Sequence, residues 1–269
     1  MNHSLCSIAL GLTVLGATQG LAQRAPDDTN KTFFIGRDAA ATGIALGATA
    51  LISHFDIRIA HWFQSPEVQG SSSRHKAVSN LTKINETTLT AAAILGYGVG
   101  KLTHSQTTAD VSLHTAESTI LTSVISQIIR GPLGRERPSI SPDDQYKFDF
   151  GKGFTHFDNR AFPSLHAATG FAFATAISTE IHERNPNAQW WVSPAAYTVA
   201  MVPGLTRMYL NQHWASDVVF GSFIGGFVGA RVVRYTHTHS RNKLDHFLLG
   251  SSVIPDGRGG LRIGASVDY

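Results

Sequence analysis

The stretch RMYLNQHWASDVVFG, residues 207–221, decides how this chain is read. It runs on as VVFGSFIGGFVGA, an apolar segment that suggests burial, yet it carries Arg207, His213 and Asp217, which a helix does not need. His213 and Asp217 lie four positions apart, one helical turn, so their side chains can meet on one face. A carboxylate bonded to one ring nitrogen of a histidine fixes the tautomer, aims the other nitrogen and stabilises charge developing on the ring. An incidental surface ion pair has the same spacing, but buried charges persist only when paired.

Outward from this segment, helix-like apolar stretches recur at 38–53, 86–102, 115–129, 164–180, 191–209 and 214–235. They are rich in Ala, Gly, Ser and Thr, which predicts an all-α helical bundle of about six core helices. Between them, 132–163 is polar and bears Pro and Gly; it reads as a long loop, a kind that is usually functional or disordered. The tail HFLLGSSVIPDGRGGLRIGASVDY alternates around Asp256-Gly257 and predicts a short C-terminal β-hairpin. The opening MNHSLCSIALGLTVLGATQGLA, with its short apolar run and small residues, reads as a signal peptide over 1–22. An N-terminal anchor helix competes with that reading, although a span wants about 17–25 apolar residues. The expected organisation is then a linker at 23–37, a helical domain at 38–240 and the tail at 241–269. Such a chain is exported, to the periplasm in a bacterium.

With 269 residues and 42% hydrophobic content, the chain has material for one large core. Its single cysteine, Cys6, lies in the signal segment, which excludes thiol chemistry and disulfides from the mature chain. A net charge of +3 suits anionic substrates or an anionic membrane surface. No basic run with interleaved aromatics is present, which argues against nucleic acid as a partner. The uncharged runs are short and the mean hydropathy is -0.03, favouring a buried soluble bundle over a six-span membrane protein. The spacing Gly221, Gly225, Gly229 serves close helix approach in either setting. The THTHS run at 236–240 could bind a metal adventitiously, but no ligand set is apparent.

Two further motifs carry chemistry. RGPLGRERP, residues 130–138, places Arg130 at a helix end and Arg137 seven positions later. Converging guanidinium forks match phosphate oxygens, although a helix end complemented by cations reads the same way. In FPSLHAATGFAFATA, from Phe162, Ser164 looks like a helix cap, and His166 sits in the first turn. A helix N-terminus attracts anions through its free N–H groups, which puts His166 within reach of one; a histidine with no role is the alternative.

Together these residues resemble the type 2 phosphatidic acid phosphatase and vanadium haloperoxidase superfamily. Its pattern is Lys with Arg-Pro after six residues, then Pro-Ser-Gly-His, then Ser-Arg with His six residues after the Arg and Asp four further on. The matching positions are Arg130 with Arg137 and Pro138; Pro163, Ser164, Leu165 and His166; and Thr206, Arg207, His213 and Asp217. Arg130 replaces the usual Lys and keeps the charge, Leu165 replaces Gly and keeps a backbone N–H, and Thr206 replaces Ser and keeps the hydroxyl.

The resemblance implies phosphomonoester hydrolysis without a metal or cofactor. In that scheme His213 attacks phosphorus, Asp217 supports it and His166 protonates the leaving oxygen. Arg130, Arg137 and Arg207, with Ser164 and the N–H of Leu165, would hold the phosphoryl oxygens. The implied partners are a phosphorylated small molecule or a lipid head group, and with the latter a membrane surface. Vanadate enters as a cofactor only in the alternative, a vanadate-dependent haloperoxidase; an integral-membrane lipid phosphatase is a further alternative. A structural outer-membrane protein would explain the tail but not the helices.

Overall fold

A computed structural model of the chain describes residues 36–238 and the backbone of 251–255 and 261–265. The signal segment, most of the linker and the Asp256-Gly257 turn lie outside the described residues. Helices α1 (Gly36–Ser53), α2 (Asp56–Gln64), α3 (Pro66–Gln69) and α4 (Ser72–Leu81) come first. They are followed by α5 (Glu86–Leu102), α6 (Gln106–Leu133), α7 (Leu165–Arg184), α8 (Pro186–Tyr209) and α9 (Ala215–Thr238). The fold is therefore all-helical. Gly36 and Arg37, expected in the linker, already belong to α1. The segments Ser251–Pro255 and Leu261–Ala265 run antiparallel as β1 and β2. Two strands alone are not an independently stable unit, so they do not alter the fold class.

Local sequence explains where the helices begin and end. Asn85 and Thr88 form a reciprocal capping box at α5, Ser105 caps α6, and Ser164 accepts the Ala167 N–H at the start of α7. Helix α6 ends on Gly134, held at φ 62° in the left-handed region, where a Cβ would meet the Asp149 carbonyl. The expected loop 132–163 follows, but it is ordered by two 3-10 turns and an Arg135–Phe148 bridge.

Helix α7 is central, packed against α9, α8, α6 and α5. One face of α9 meets it through glycines: a Cβ on Gly221 would press on the Ser164 carbonyl, and one on Gly225 on that of Ala168. The other face carries Phe220, Ile224, Val228 and Val232, four apart, against Leu121, Ile125 and Ile129. Each of these buried side chains stabilises the fold by about 1.5–3 kcal/mol. This two-sided packing fixes the first turn of α9 beside the first turn of α7, and the site is built there.

Beside that apolar face the interior holds many small and polar residues, including Ala167, Ala172, Thr169, Ser178 and Glu180, while a number of large apolar side chains remain outside. Leu51, Leu95, Leu102, Ile128 and Trp190 are exposed, Leu102 at 82% and Trp190 at 77%. The expectation of a bundle that buries its apolar faces therefore fails on the outer helices. Polar residues inside lowered the mean hydropathy on which that expectation rested. Among the described residues, Ala215–Thr238 is the one helix long and apolar enough to cross a membrane, and 67% of its apolar window is buried.

Candidate active site

Three chain segments converge. Helix α8 delivers Arg207 in its last turn, and then Asn211, at φ 58°, turns the chain so that His213 sits between α8 and α9. Asp217 follows in the first turn of α9 and accepts the Trp214 N–H at 2.8 Å, closing that helix start. The three residues thus do not share one helix, as the spacing suggested. Helix α7 brings Ser164, Leu165 and His166, and the end of α6 with the strap after it brings Arg130, Arg135 and Arg137.

His213 is 3% exposed, and its Nδ1 lies 2.7 Å from the Ala161 carbonyl. A carbonyl only accepts, so Nδ1 carries the proton and Nε2 keeps its lone pair. Asp217 stands 3.6 Å from the same nitrogen, beyond hydrogen-bond range; it acts on His213 through charge, while the Ala161 carbonyl orients the ring. Burial lowers His213 below the usual histidine range, with Asp217 opposing, so the ring is neutral at pH 7. Burial alone would raise Asp217; Arg135 and His213 outweigh it and hold the carboxyl ionised.

His166 faces His213 with ring centroids 6.4 Å apart. Its Nε2 accepts from Arg207 Nη2 at 2.6 Å and lies 3.1 Å from Glu86 Oε2, a carboxylate at the start of α5 that the motifs did not reveal. Burial, then Arg207, His213, Arg130 and Arg137, push His166 far below its ordinary range, so it is neutral in the free protein. A bound phosphoryl group would offset that positive field and favour its protonation.

The cations are held firmly. Arg130 donates through Nε and Nη2 to the Arg160 carbonyl. Arg137 donates to Gln212 Oε1 and stacks 3.8 Å from the Phe157 ring centroid. Burial, with Arg137 and Arg160 adding to it, lowers Arg130 to about 10; burial also lowers Arg137 to about 10, with Arg207 contributing and Asp158 opposing, so both remain charged at pH 7. Arg137 Nε and His166 Nδ1 are buried without a hydrogen-bond partner, which is costly unless a ligand supplies one. Ser164 Oγ accepts the Ala167 N–H at 3.5 Å as the helix cap, and the first N–H groups of α7 lack intrahelical acceptors.

Arg135, unassigned among the motif arginines, proves to be the supporting cation. Its fork donates to Asp217 Oδ1 at 2.5 Å, Asp56 Oδ2 at 2.9 Å and Ser216 Oγ at 2.8 Å. Asp56 also accepts the Ser216 N–H at 2.9 Å. Burial, with Asp217 close by, raises Asp56 from 3.8 to about 6, against the pull of Arg135. A carboxyl raised on folding contributes stability that is full below its unfolded pKa and lost as pH rises through the folded one. Asp56→Asn is therefore expected to flatten the fall in stability between about pH 4 and pH 6, read by thermal unfolding across that window. An unchanged pH profile would remove Asp56 from this role.

Residues 112–241 match the family model of the PAP2 superfamily. Over 69 residues, 26% of this chain, it is 46% identical to a lipid A 1-phosphatase of Porphyromonas gingivalis. Over 68 residues it is 37% identical to a lipid A 4'-phosphatase of Bacteroides thetaiotaomicron. The matched stretches span 15% and 28% of those relatives. A crystal structure of a transmembrane PAP2 type phosphatidylglycerolphosphate phosphatase from Bacillus subtilis aligns with 72% of this chain and 98% of its own, at 17% identity and a TM-score of 0.46.

Proposed function

Because residues 112–241 are a PAP2 superfamily domain, we propose that the chain is a phosphatase that hydrolyses lipid phosphomonoesters through a phosphohistidine on His213. The observation that carries this reading is a pair of neutral histidines, His213 buried and His166 half-buried, facing each other across 6.4 Å within a field of three fixed arginines. A phosphoryl group placed there meets a lone pair on one side and a proton carrier on the other.

His213 Nε2 attacks phosphorus and forms the P–N bond as the bond to the leaving oxygen breaks. His166, protonated once the phosphoryl charge is bound, gives its proton to that oxygen and the alcohol departs. Water then attacks phosphorus, His166 takes its proton, the P–N bond breaks and phosphate is released. Arg137, Arg207 and Arg130, with the first N–H groups of α7, stabilise charge on the equatorial oxygens. No step in this scheme calls on a metal or another cofactor.

A lipid substrate is supported by the lipid A phosphatase relatives and by the exposed apolar side chains around the helices, a surface suited to lipid contact. Export to the periplasm, read from the opening segment, fits a lipid phosphate on that side of a membrane. The test is phosphate release in detergent from lipid A, dioleoyl phosphatidic acid and para-nitrophenyl phosphate. Preference for either lipid is the expected result, whereas turnover of the soluble ester alone would reject a lipid substrate.

Arg207→Ala is expected to lower kcat by roughly 10^2- to 10^3-fold, as loss of one transition-state donor does. Inhibition by phosphate or orthovanadate should weaken by about 10- to 100-fold, the value of a charged hydrogen bond. Unchanged inhibition would remove Arg207 from the phosphate clamp.

A further inference from the structure

The far end of α7 holds a second polar cluster that phosphoryl chemistry does not use. Glu180, fully buried, lies 14 residues beyond His166, about 21 Å along the helix axis. His114 Nδ1 from α6 and His237 Nε2 from the end of α9 both converge on Glu180 Oε1, the latter at 3.0 Å. The other carboxylate oxygen is taken by Arg184 Nε at 2.8 Å, and Arg184 in turn contacts Asp110 at 3.0 Å.

We propose that His114, Glu180 and His237 bind a divalent cation of the zinc type, clamping α6, α7 and α9 together. Their ligand atoms lie within 4.8 Å of one another. Tetrahedral zinc places its ligands about 3.3 Å apart, so a small outward shift of the histidines admits the ion. Two imidazoles and one carboxylate form a donor set that suits Zn²⁺ better than Mg²⁺ or Ca²⁺, with water completing the fourth position. The guanidinium of Arg184 already orients Glu180 as an outer-shell partner does. The HTH run at 237–239 hinted at metal affinity, but Glu180 lies 57 positions before His237 and His114 a further 66 before Glu180, joined only by the fold.

The test uses the full chain in detergent, purified without a histidine tag, stripped with EDTA and titrated with Co²⁺ and then Zn²⁺. One Co²⁺ per chain with a visible d–d band, displaced by Zn²⁺, and a rise in Tm on adding Zn²⁺ are expected. His237→Ala, half-exposed and outside the catalytic machinery, should raise the Kd at least about 100-fold, since an outer-shell loss alone costs 10- to 100-fold. Its phosphatase turnover should remain at the wild-type level. His114→Asn should lose the ion as well, and His239→Ala should keep it. No stoichiometric uptake by wild type would overturn the site. Retention in a folded His114→Asn chain, or loss in His239→Ala, would mean chelation by the 236–240 run alone and would equally overturn it.

Discussion

His213→Ala, purified in detergent, is expected to lose at least about 10^4-fold in kcat, as removal of a covalent nucleophile does. The reason lies in the surroundings of the ring. Its Nδ1 is committed to the Ala161 carbonyl, so Nε2 is the ring nitrogen left with a lone pair for attack, and the His166 ring lies 6.4 Å away between centroids. Phosphate binding should survive in this variant, because the arginines are held by Arg160, Gln212 and His166 and not by His213. Loss of turnover with retained inhibition by phosphate separates a missing nucleophile from a collapsed site. Retention of most activity would contradict the assignment.

The second large effect is on stability. Arg135→Ala removes the cation that pairs with both Asp56 and Asp217, which are fully buried. Breaking a buried pair by deleting one partner costs about 3–5 kcal/mol, because the remaining charge stays desolvated. For a domain of this size that corresponds to a fall in Tm of roughly 6–20 °C. Arg135 also lies between the Phe148 and Trp214 rings, with its guanidinium carbon 5.5 and 5.6 Å from their centroids, so packing is lost with the charge. Arg135→Lys should recover part of the stability, since an ammonium keeps the charge but cannot span Asp56, Ser216 and Asp217 together. Wild-type Tm in Arg135→Ala would show that this network is not what holds the first turn of α9.

Much of the site was legible because its chemistry is local. The spacing from Arg130 to Arg137, the capped start at Ser164 with His166 two residues on, and the interval from Arg207 to Asp217 each name their residues. Asp56 could not be read this way: it meets Arg135 across 79 positions and Ser216 across 160, with no motif around it. Glu86 was visible only as the first residue of a helix, and the Ala161 carbonyl, a backbone atom, leaves no mark in side-chain identity. Asp217, assigned as the orienter of His213, proves to be a helix-closing acceptor 3.6 Å away that acts through charge.

The fold shows the same division. Helix α5 was read at its true limits because its cap and apolar run coincide. Helix α6 starts nine residues earlier than expected because QTTADVSLH is polar, and its His114, Thr115 and Glu117 turn inward. The short helices α2 to α4 were missed for the lack of long apolar periodicity. The helix expected over 191–209 starts earlier, at Pro186, and runs through Pro194 and Pro203 as α8.

Acid-labile, alkali-stable phosphate on His213 tests the phosphohistidine most directly. Wild-type protein would be mixed rapidly with a lipid phosphomonoester, quenched in alkali and digested, and the peptide containing His213 weighed. One added phosphoryl group on that peptide, absent from His213→Ala and chased by water, is the predicted result. Burst-phase samples in which phosphate has been released but no histidine is modified would contradict it, and would point to direct attack of water within the same arginine clamp.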